Sequence, residues 1–412
     1  MANTALQEHL IQLMAEIDAA CKENNLRYAL FGDTAFWAKA RGAFVGGQCE
    51  LHMMMRACDM LALKKALLAK GAANRAVEDL FTNPLLAWNT LRYVDTGTTL
   101  IFREEATRFQ ELGVAVIVHP LYAKPFGNTT MVAEIGTSYL HGGKGFNGGY
   151  LGQPRKMAFE KMVGLEKRFG PKLVTWPLRR HLKQDKGAAG DTLYYLHATS
   201  NVRQMPSKLL AQTQLVPFEG LQLPVPADME AYAKNFYKAA WVEANAEKPK
   251  TANTIWAIQY ADIPYKQALE TMKAAGVDMR KLQQQVYDYH MWFSMEFRYW
   301  KRITTDEYAA AKLSRDRIDL FCELEPEMPK LREAYAAKDK AVLAPYFEKY
   351  TERTEHYKKK GLGFFVTPEL FDMAKMVWGN SKKKKEFAKE IYSLVPKEYK
   401  EQDLGAFLAL YR

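Results

Sequence analysis

Apolar residues recur at helical spacing from about Ala5 to Asn24, with Leu6, Leu10, Leu13, Ile17 and Cys21 on one face. Asn24-Asn25 ends that pattern, and Leu26 to Phe31 reads as a short strand running into Gly32-Asp33-Thr34. A second helix is expected over Ala35 to Arg41, closed by Gly42. Glu50 to Met55 then alternates polar and apolar positions as a half-buried strand does. Asp59 to Ala69 predicts a helix ending at Gly71, with strands near Thr98–Phe102 and Val114–Val118. Gly, Thr and Asn dominate Thr129 to Tyr150, which reads as a long loop. Helical patterns resume at Arg155–Arg168 and Leu193–Leu196, and Phe218 to Pro226 reads as extended. Glu243–Asn253 has the composition of a linker. Beyond Thr254 the pattern is helical, with one apolar stripe at Leu282, Val286, Tyr289, Phe293 and Phe297 and another at Leu331, Tyr335, Leu343 and Phe347.

This order predicts an α/β (α+β) unit with a small mixed sheet flanked by helices over residues 1–250, followed by an all-helical domain over 251–412. The length of 412 residues accommodates two or three such units. Apolar residues at 48% exclude a disordered chain, and no apolar run approaches the ~20 residues of a membrane span. The amino end carries acids and lacks the layout of a secretory signal, so the expected location is cytoplasmic. Cys21, Cys49, Cys58 and Cys322 show no metal-knuckle spacing and are expected to be reduced thiols. The 58 Lys plus Arg exceed the 47 Asp plus Glu, a net charge of +11 that suits a polyanionic partner or solubility alone. No nucleic-acid motif accompanies that charge, and no specific nucleic-acid partner is expected.

The richest chemistry lies between Tyr28 and Asp59. A strand enters a Gly-Asp-Thr turn, a helix starts, and a second strand sets Glu50 and His52 at i and i+2 on one face. A helix N-terminus can hold phosphate oxygens, and two such side chains can share a phosphate-bound metal.

From Cys21 to Tyr28, through Gly32-Asp33-Thr34 and Gly42-Ala43-Phe44-Val45, the chain resembles the opening motif of the LicD/fukutin-type family of the nucleotidyltransferase superfold. Arg92 with Thr98-Thr99, and Val118-His119-Pro120-Leu121, are similar to its middle. The segment Phe218 to Pro226, with Tyr232 and Phe236-Tyr237, is similar to its closing motif. The resemblance spans roughly residues 5–250 and leaves the helical tail uncovered.

That resemblance implies transfer of a phosphocholine-type or polyol-phosphate group from a CDP-linked donor to a cell-surface glycan or its precursor, with a divalent metal (Mg²⁺, Mn²⁺ or Zn²⁺). It implies Gly32 and Thr34 at the donor phosphates, Arg41 offsetting their charge, and Glu50 and His52 at the metal. His119 would complete a Glu/His/His set, and Asp33 would serve as a substitute ligand or as the N-cap of the Thr34–Arg41 helix. The family's aspartates fall on Gln48, Cys49, Glu50 and His52, and a later acid falls on Ile117. Mg²⁺ needs hard anionic oxygens, whereas imidazoles suit Zn²⁺ or Mn²⁺ better. A catalytically inactive binding or partner subunit that has lost its metal ligands is the alternative.

Other features invite blander readings. His141 to Gly149 lacks the strand and Ser/Thr of a phosphate loop. Lys382 to Lys385 suits either peripheral contact with an anionic membrane or a solvated helix start. The aromatics from Tyr287 to Trp300 suit a stacking platform or a core. His181, His197 and His290 have no partner at metal spacing.

Overall fold

Helix α1 (Ala5–Glu23) starts on a reciprocal cap. The Thr4 hydroxyl accepts from the Gln7 backbone N–H, and the Gln7 side chain accepts from the Thr4 N–H at 2.9 Å. Its Leu10, Leu13, Met14 and Ile17 are fully buried, each worth roughly 1.5–3 kcal/mol of apolar transfer. The computed structural model describes residues 4–45, 48–84, 86, 89–102, 110–127, 165, 168–186, 190–197, 201–237, 257–274, 324, 327–359, 361, 368–379 and 382–394. These belong to two units, Met1–Tyr265 and Lys266–Arg412.

In the first unit the chain continues through β1 (Tyr28–Leu30), α2 (Gly32–Arg41), β2 (Glu50–Arg56), α3 (Ala57–Lys70), β3 (Arg75–Glu78), β4 (Leu91–Asp95), β5 (Thr99–Phe102) and β6 (Ala115–Leu121). Five of these strands form a mixed sheet in the order β1-β2-β6-β4-β3. The central β2–β6 pair is parallel, with Glu50 opposite Ala115, His52 opposite Ile117 and Met54 opposite His119. All other pairs in the sheet are antiparallel. Leu51, Met53, Met55, Val116 and Val118 are wholly buried and share the face of the central pair opposite the one that carries Glu50 and His52.

β3 and β4 escape the sequence pattern because they carry charges inward. Arg92 and Glu78 are register partners and ion-paired, both almost completely buried. The Glu78 carboxylate also accepts from the Asn83 side chain at 2.6 Å and the Gln110 N–H at 2.7 Å, while Arg92 donates to the Glu111 carbonyl at 3.0 Å. Buried charge is tolerated only with such partners. Gly113 meets the same region, since a Cβ there would stand 1.8 Å from the Asp95 carbonyl oxygen.

Short helices α4 (Pro171–Val174) and α5 (Trp176–Gln184) precede a hairpin of β7 (Thr192–His197) and β8 (Asn201–Pro206). The helical expectation for Leu193–Leu196 is corrected here. Leu193 and Tyr195 alternate with their neighbours into the core, and Tyr and Thr favour strands. After α6 (Lys208–Ala211), β9 (Thr213–Phe218) and β10 (Leu221–Pro226) form a second hairpin. Its two-residue turn holds Glu219 and Gly220 at φ 50° and 83°, so the extended stretch from Phe218 is in fact a reversal. Helix α7 (Met229–Tyr237) follows, and then β11 (Ala257–Tyr260), which pairs with β5. That strand carries the first unit past residue 250 to Tyr265 and interrupts the helical pattern expected beyond Thr254.

All regular elements described within the second unit are helices. α8 (Tyr265–Ala274) leads in, followed by α9 (Met328–Ala336), α10 (Lys340–Lys358), α11 (Pro368–Trp378) and α12 (Lys382–Leu394). Leu331, Leu343, Phe347 and Tyr350 form its core, matching the second stripe, with Tyr335 only half-buried. The 129–150 loop, the 243–253 linker and the 282–297 stripe lie outside the described residues, as does all of the helix expected over Arg155–Arg168 except Leu165 and Arg168, which are helical.

Removing one member of the buried pair strands the other. Arg92→Met is expected to lower unfolding free energy by about 3–5 kcal/mol, read as a reduced urea midpoint. Gly113→Ala should cost more than the 1–3 kcal/mol usual for overpacking, because a backbone carbonyl cannot swing aside, with loss of soluble folded protein as the readout.

Candidate functional site

The link between β1 and α2 sets the site. Gly32 lies in the left-handed region at φ +57°, where a glycine is easily accommodated, so the chain turns from strand to helix within one residue. The helix starts at Gly32 with Phe31 as its N-cap, so Asp33 is a first-turn residue rather than the cap expected for a Thr34 start. A carboxylate there still complements the helix dipole.

Three hydrogen bonds weld this corner to the start of β2 and to α7. The Phe31 N–H donates to the His52 carbonyl at 2.9 Å. In return the His52 N–H donates to the Thr34 hydroxyl at 3.1 Å, and Thr34 is wholly buried. The Gly32 N–H donates to the Tyr232 hydroxyl at 2.7 Å, across 200 positions of sequence. Burial holds that phenol well above its ordinary pKa, so it stays protonated and accepts through its lone pair.

Glu50 and His52 leave β2 on one face, as their i, i+2 spacing predicts, and His119 joins them from the parallel neighbour. His52 Nδ1 lies 3.0 Å from His119 Nε2, and the Glu50 carboxylate lies 3.9 Å from His52 Nε2. The three therefore form a line: carboxylate, imidazole, imidazole. An imidazole's two nitrogens face out of different edges of the ring, so Glu50 approaches His52 away from the edge that meets His119. In this arrangement the expected Glu50/His52/His119 set does not converge on one ion. Among the described residues no group of three or more His, Cys, Asp or Glu is placed to hold a metal. A single carboxylate with two imidazoles is also a poor donor set for Mg²⁺.

The chemistry this line can do is proton handling. A bond between two ring nitrogens needs one to carry the proton and the other the lone pair. Ile117 stands opposite His52, so that position of the neighbouring strand adds no charge.

Around His119 stands an aromatic wall. Its ring is 4.5 Å from Phe31, which meets Phe236 at 5.1 Å and Tyr195 at 5.7 Å, both edge-on. Tyr232 and Phe236, one turn apart on α7, stack on each other at 5.8 Å. The Tyr195 hydroxyl is buried beside the Arg203 guanidinium, and burial raises its pKa while the cation works against that rise. Arg203 in turn donates to the Phe236 carbonyl.

The other expected residues fall elsewhere. Arg41 ends α2, and ten helical residues put it about 13.5 Å along the axis from Gly32, at the opposite end of the helix from the His–His pair. Cys49 precedes Glu50 as a buried thiol whose pKa is pushed up to about 11, chiefly by burial. Among the described residues Cys21, Cys49 and Cys58 form no disulfide. His181 packs on Tyr122 and Phe126, and burial lowers its pKa. Lys382 to Lys385 open α12 and are exposed. The 141–149 segment, the 287–300 aromatics, Cys322, His290 and the His197 side chain lie outside the described residues. Sequence reasoning gave no role at the site to Tyr195 or Arg203. The i, i+4 pairing of Tyr232 and Phe236 was the available signal for α7 at the site.

No helix among the described residues is long and apolar enough to cross a membrane. In comparison with known proteins, no protein-family model matches the chain, and no curated protein matches it.

Proposed function

We propose that the first unit is a nucleotidyltransferase-type phosphotransferase of the LicD kind. It would take a CDP-linked donor and move its phosphocholine-like or polyol-phosphate group to a glycan hydroxyl, either on a cell-surface glycan or on its precursor. The observation that carries this reading is the Glu50–His52–His119 line on two parallel strands, beside the N-terminus of α2. The acceptor hydroxyl attacks the phosphorus bearing the transferred group, CMP departs, and the hydroxyl proton passes to the His52–His119 pair. Glu50 then offsets the charge on the protonated ring. The positive end of the α2 dipole favours the donor's phosphates.

One observation favours a second reading. The Gly32 N–H is engaged by Tyr232 and the Thr34 hydroxyl by His52, so two groups expected at the phosphates hold the corner together instead. A non-catalytic binding or partner subunit would keep this corner for its shape.

CMP release from CDP-choline separates the two, assayed on the full chain with Mg²⁺, Mn²⁺ or Zn²⁺ added in turn. His52→Ala and His119→Ala should each reduce release by about 10²-fold or more, as expected for loss of general-base function, with unchanged thermal unfolding. Arg41→Ala, at the far end of α2, should leave release unaltered. Calorimetric binding of CDP-choline without release would establish the subunit reading, and neither binding nor release with any metal would overturn both.

Burial of the Tyr232 hydroxyl makes a separate prediction. Tyr232→Phe leaves the Gly32 N–H without its partner in an apolar setting and should cost about 1–3 kcal/mol of stability, measured by denaturant unfolding.

A further inference from the structure

The segment from Phe169 to Lys183 has no part in the candidate site, yet it carries a distinctive surface. Phe169, Leu173 and Trp176 lie within eight residues, and each keeps about half its area in water, at 53%, 50% and 51%. Scattered apolar residues are ordinary on a protein surface, but three so close, including the large Phe and Trp rings, are not. Their neighbours explain how the exposure is arranged. Leu178 and Leu182 of α5, at i and i+4, are fully buried and anchor the helix, which leaves Trp176, Arg180 and Lys183 on the outward side. Arg180 lies over the Trp176 ring at 5.3 Å, and Arg168 over Phe169 at 5.1 Å.

The charge is one-sided as well. From residue 167 to 184 the sequence holds Lys167, Arg168, Lys172, Arg179, Arg180 and Lys183, and no Asp or Glu. Arg179 is turned back onto the Lys172 carbonyl, while Arg168, Lys172, Arg180 and Lys183 are exposed. Exposed Trp, Phe and Leu interspersed with exposed cations match the water–lipid boundary. Rings and aliphatic chains enter the headgroup layer there, and the guanidinium and ammonium groups meet lipid phosphates.

We infer that the Phe169–Lys183 surface docks the protein peripherally on an anionic bilayer, by insertion of Phe169, Leu173 and Trp176 between headgroups held by Arg168, Lys172 and Arg180. The occupant is identified by charge complementarity together with the apolar tips, and the inference is independent of the chemistry proposed at Glu50, His52 and His119. The surface belongs to the first unit, whereas the Lys382–Lys385 run opens α12 of the second, where Phe387 packs on Trp378 at 5.3 Å.

The test is co-sedimentation of the full chain with vesicles of equimolar phosphatidylglycerol and phosphatidylcholine, against vesicles of phosphatidylcholine alone. Binding is expected to the anionic vesicles only and to weaken in high salt. A Phe169→Ala/Leu173→Ala/Trp176→Ala variant should bind at least tenfold less. Arg168→Gln/Lys172→Gln/Arg180→Gln should lose about fivefold per cation. Both variants alter exposed side chains, and unchanged thermal unfolding checks that they fold. Replacing Lys382 to Lys385 with Gln should leave binding intact. The inference is overturned if the wild-type chain ignores anionic vesicles, if both 168–180 variants bind as well as wild type, or if the loss follows the Lys382–Lys385 variant instead. A change from dimer to monomer in the apolar variant, without vesicle binding by wild type, would assign the surface to a second copy of the chain and overturn it equally.

Discussion

The parallel pairing of β2 with β6 at the centre of the sheet is the constraint on which the rest depends. Strand side chains alternate faces, so a slip of one residue would carry Leu51, Met53 and Met55 out of the core and turn His52 into it. Burial of those three apolar chains, with Val116 and Val118 beside them, therefore fixes the register. The same register sets His119 one diagonal step from His52, close enough for ring nitrogen to meet ring nitrogen. A functional geometry thus follows from an apolar one.

A second constraint locks the edge of that sheet. The His52 backbone is bracketed by Phe31 on one side and Thr34 on the other, so α2 cannot rotate without breaking bonds to β2. Tyr232 closes the corner from α7, and the β9–β10 turn closes the far end of α2. There the Glu219 N–H donates to the Gly42 carbonyl and the Glu219 carboxylate accepts from the Phe44 N–H. Elements far apart in sequence thus hold both ends of one ten-residue helix beside the candidate site.

Local signals account for what could be read from the chain beforehand. The helix at Ala5–Glu23 announced itself through a 3.6-residue apolar period, and the Glu50/His52 face through strand alternation. Strands β3 and β4 were hidden because Glu78, Arg92 and Asp95 point inward, which defeats any reading that equates charge with exposure. The Leu193–Leu196 window was too short to separate one period from another, and its pairing with β8 decided the matter. At the site, His119 was legible as a strand-end neighbour. The Tyr232–Gly32 bond was not, since nothing local connects residues 200 apart. Nor does composition reveal that two imidazoles and a carboxylate stand in line rather than around a point.

That corner bears directly on where an anion can sit. A phosphate oxygen at the Gly32 N–H would form a charge-assisted bond worth about 1.5–3 kcal/mol, against about 0.5–1.5 kcal/mol for the neutral bond from Gly32 to Tyr232. Taken alone, the exchange favours the phosphate. The displaced phenol, however, is wholly enclosed among Phe36, Phe236 and its own helix, and leaving its hydroxyl unpaired there costs about 1–3 kcal/mol. The two magnitudes cancel, so an incoming phosphate gains nothing by evicting Tyr232. On the proposed phosphotransfer reading, a donor phosphate would be favoured by the positive end of the α2 dipole on the side of the His52–His119 pair, with the Gly32 corner left closed.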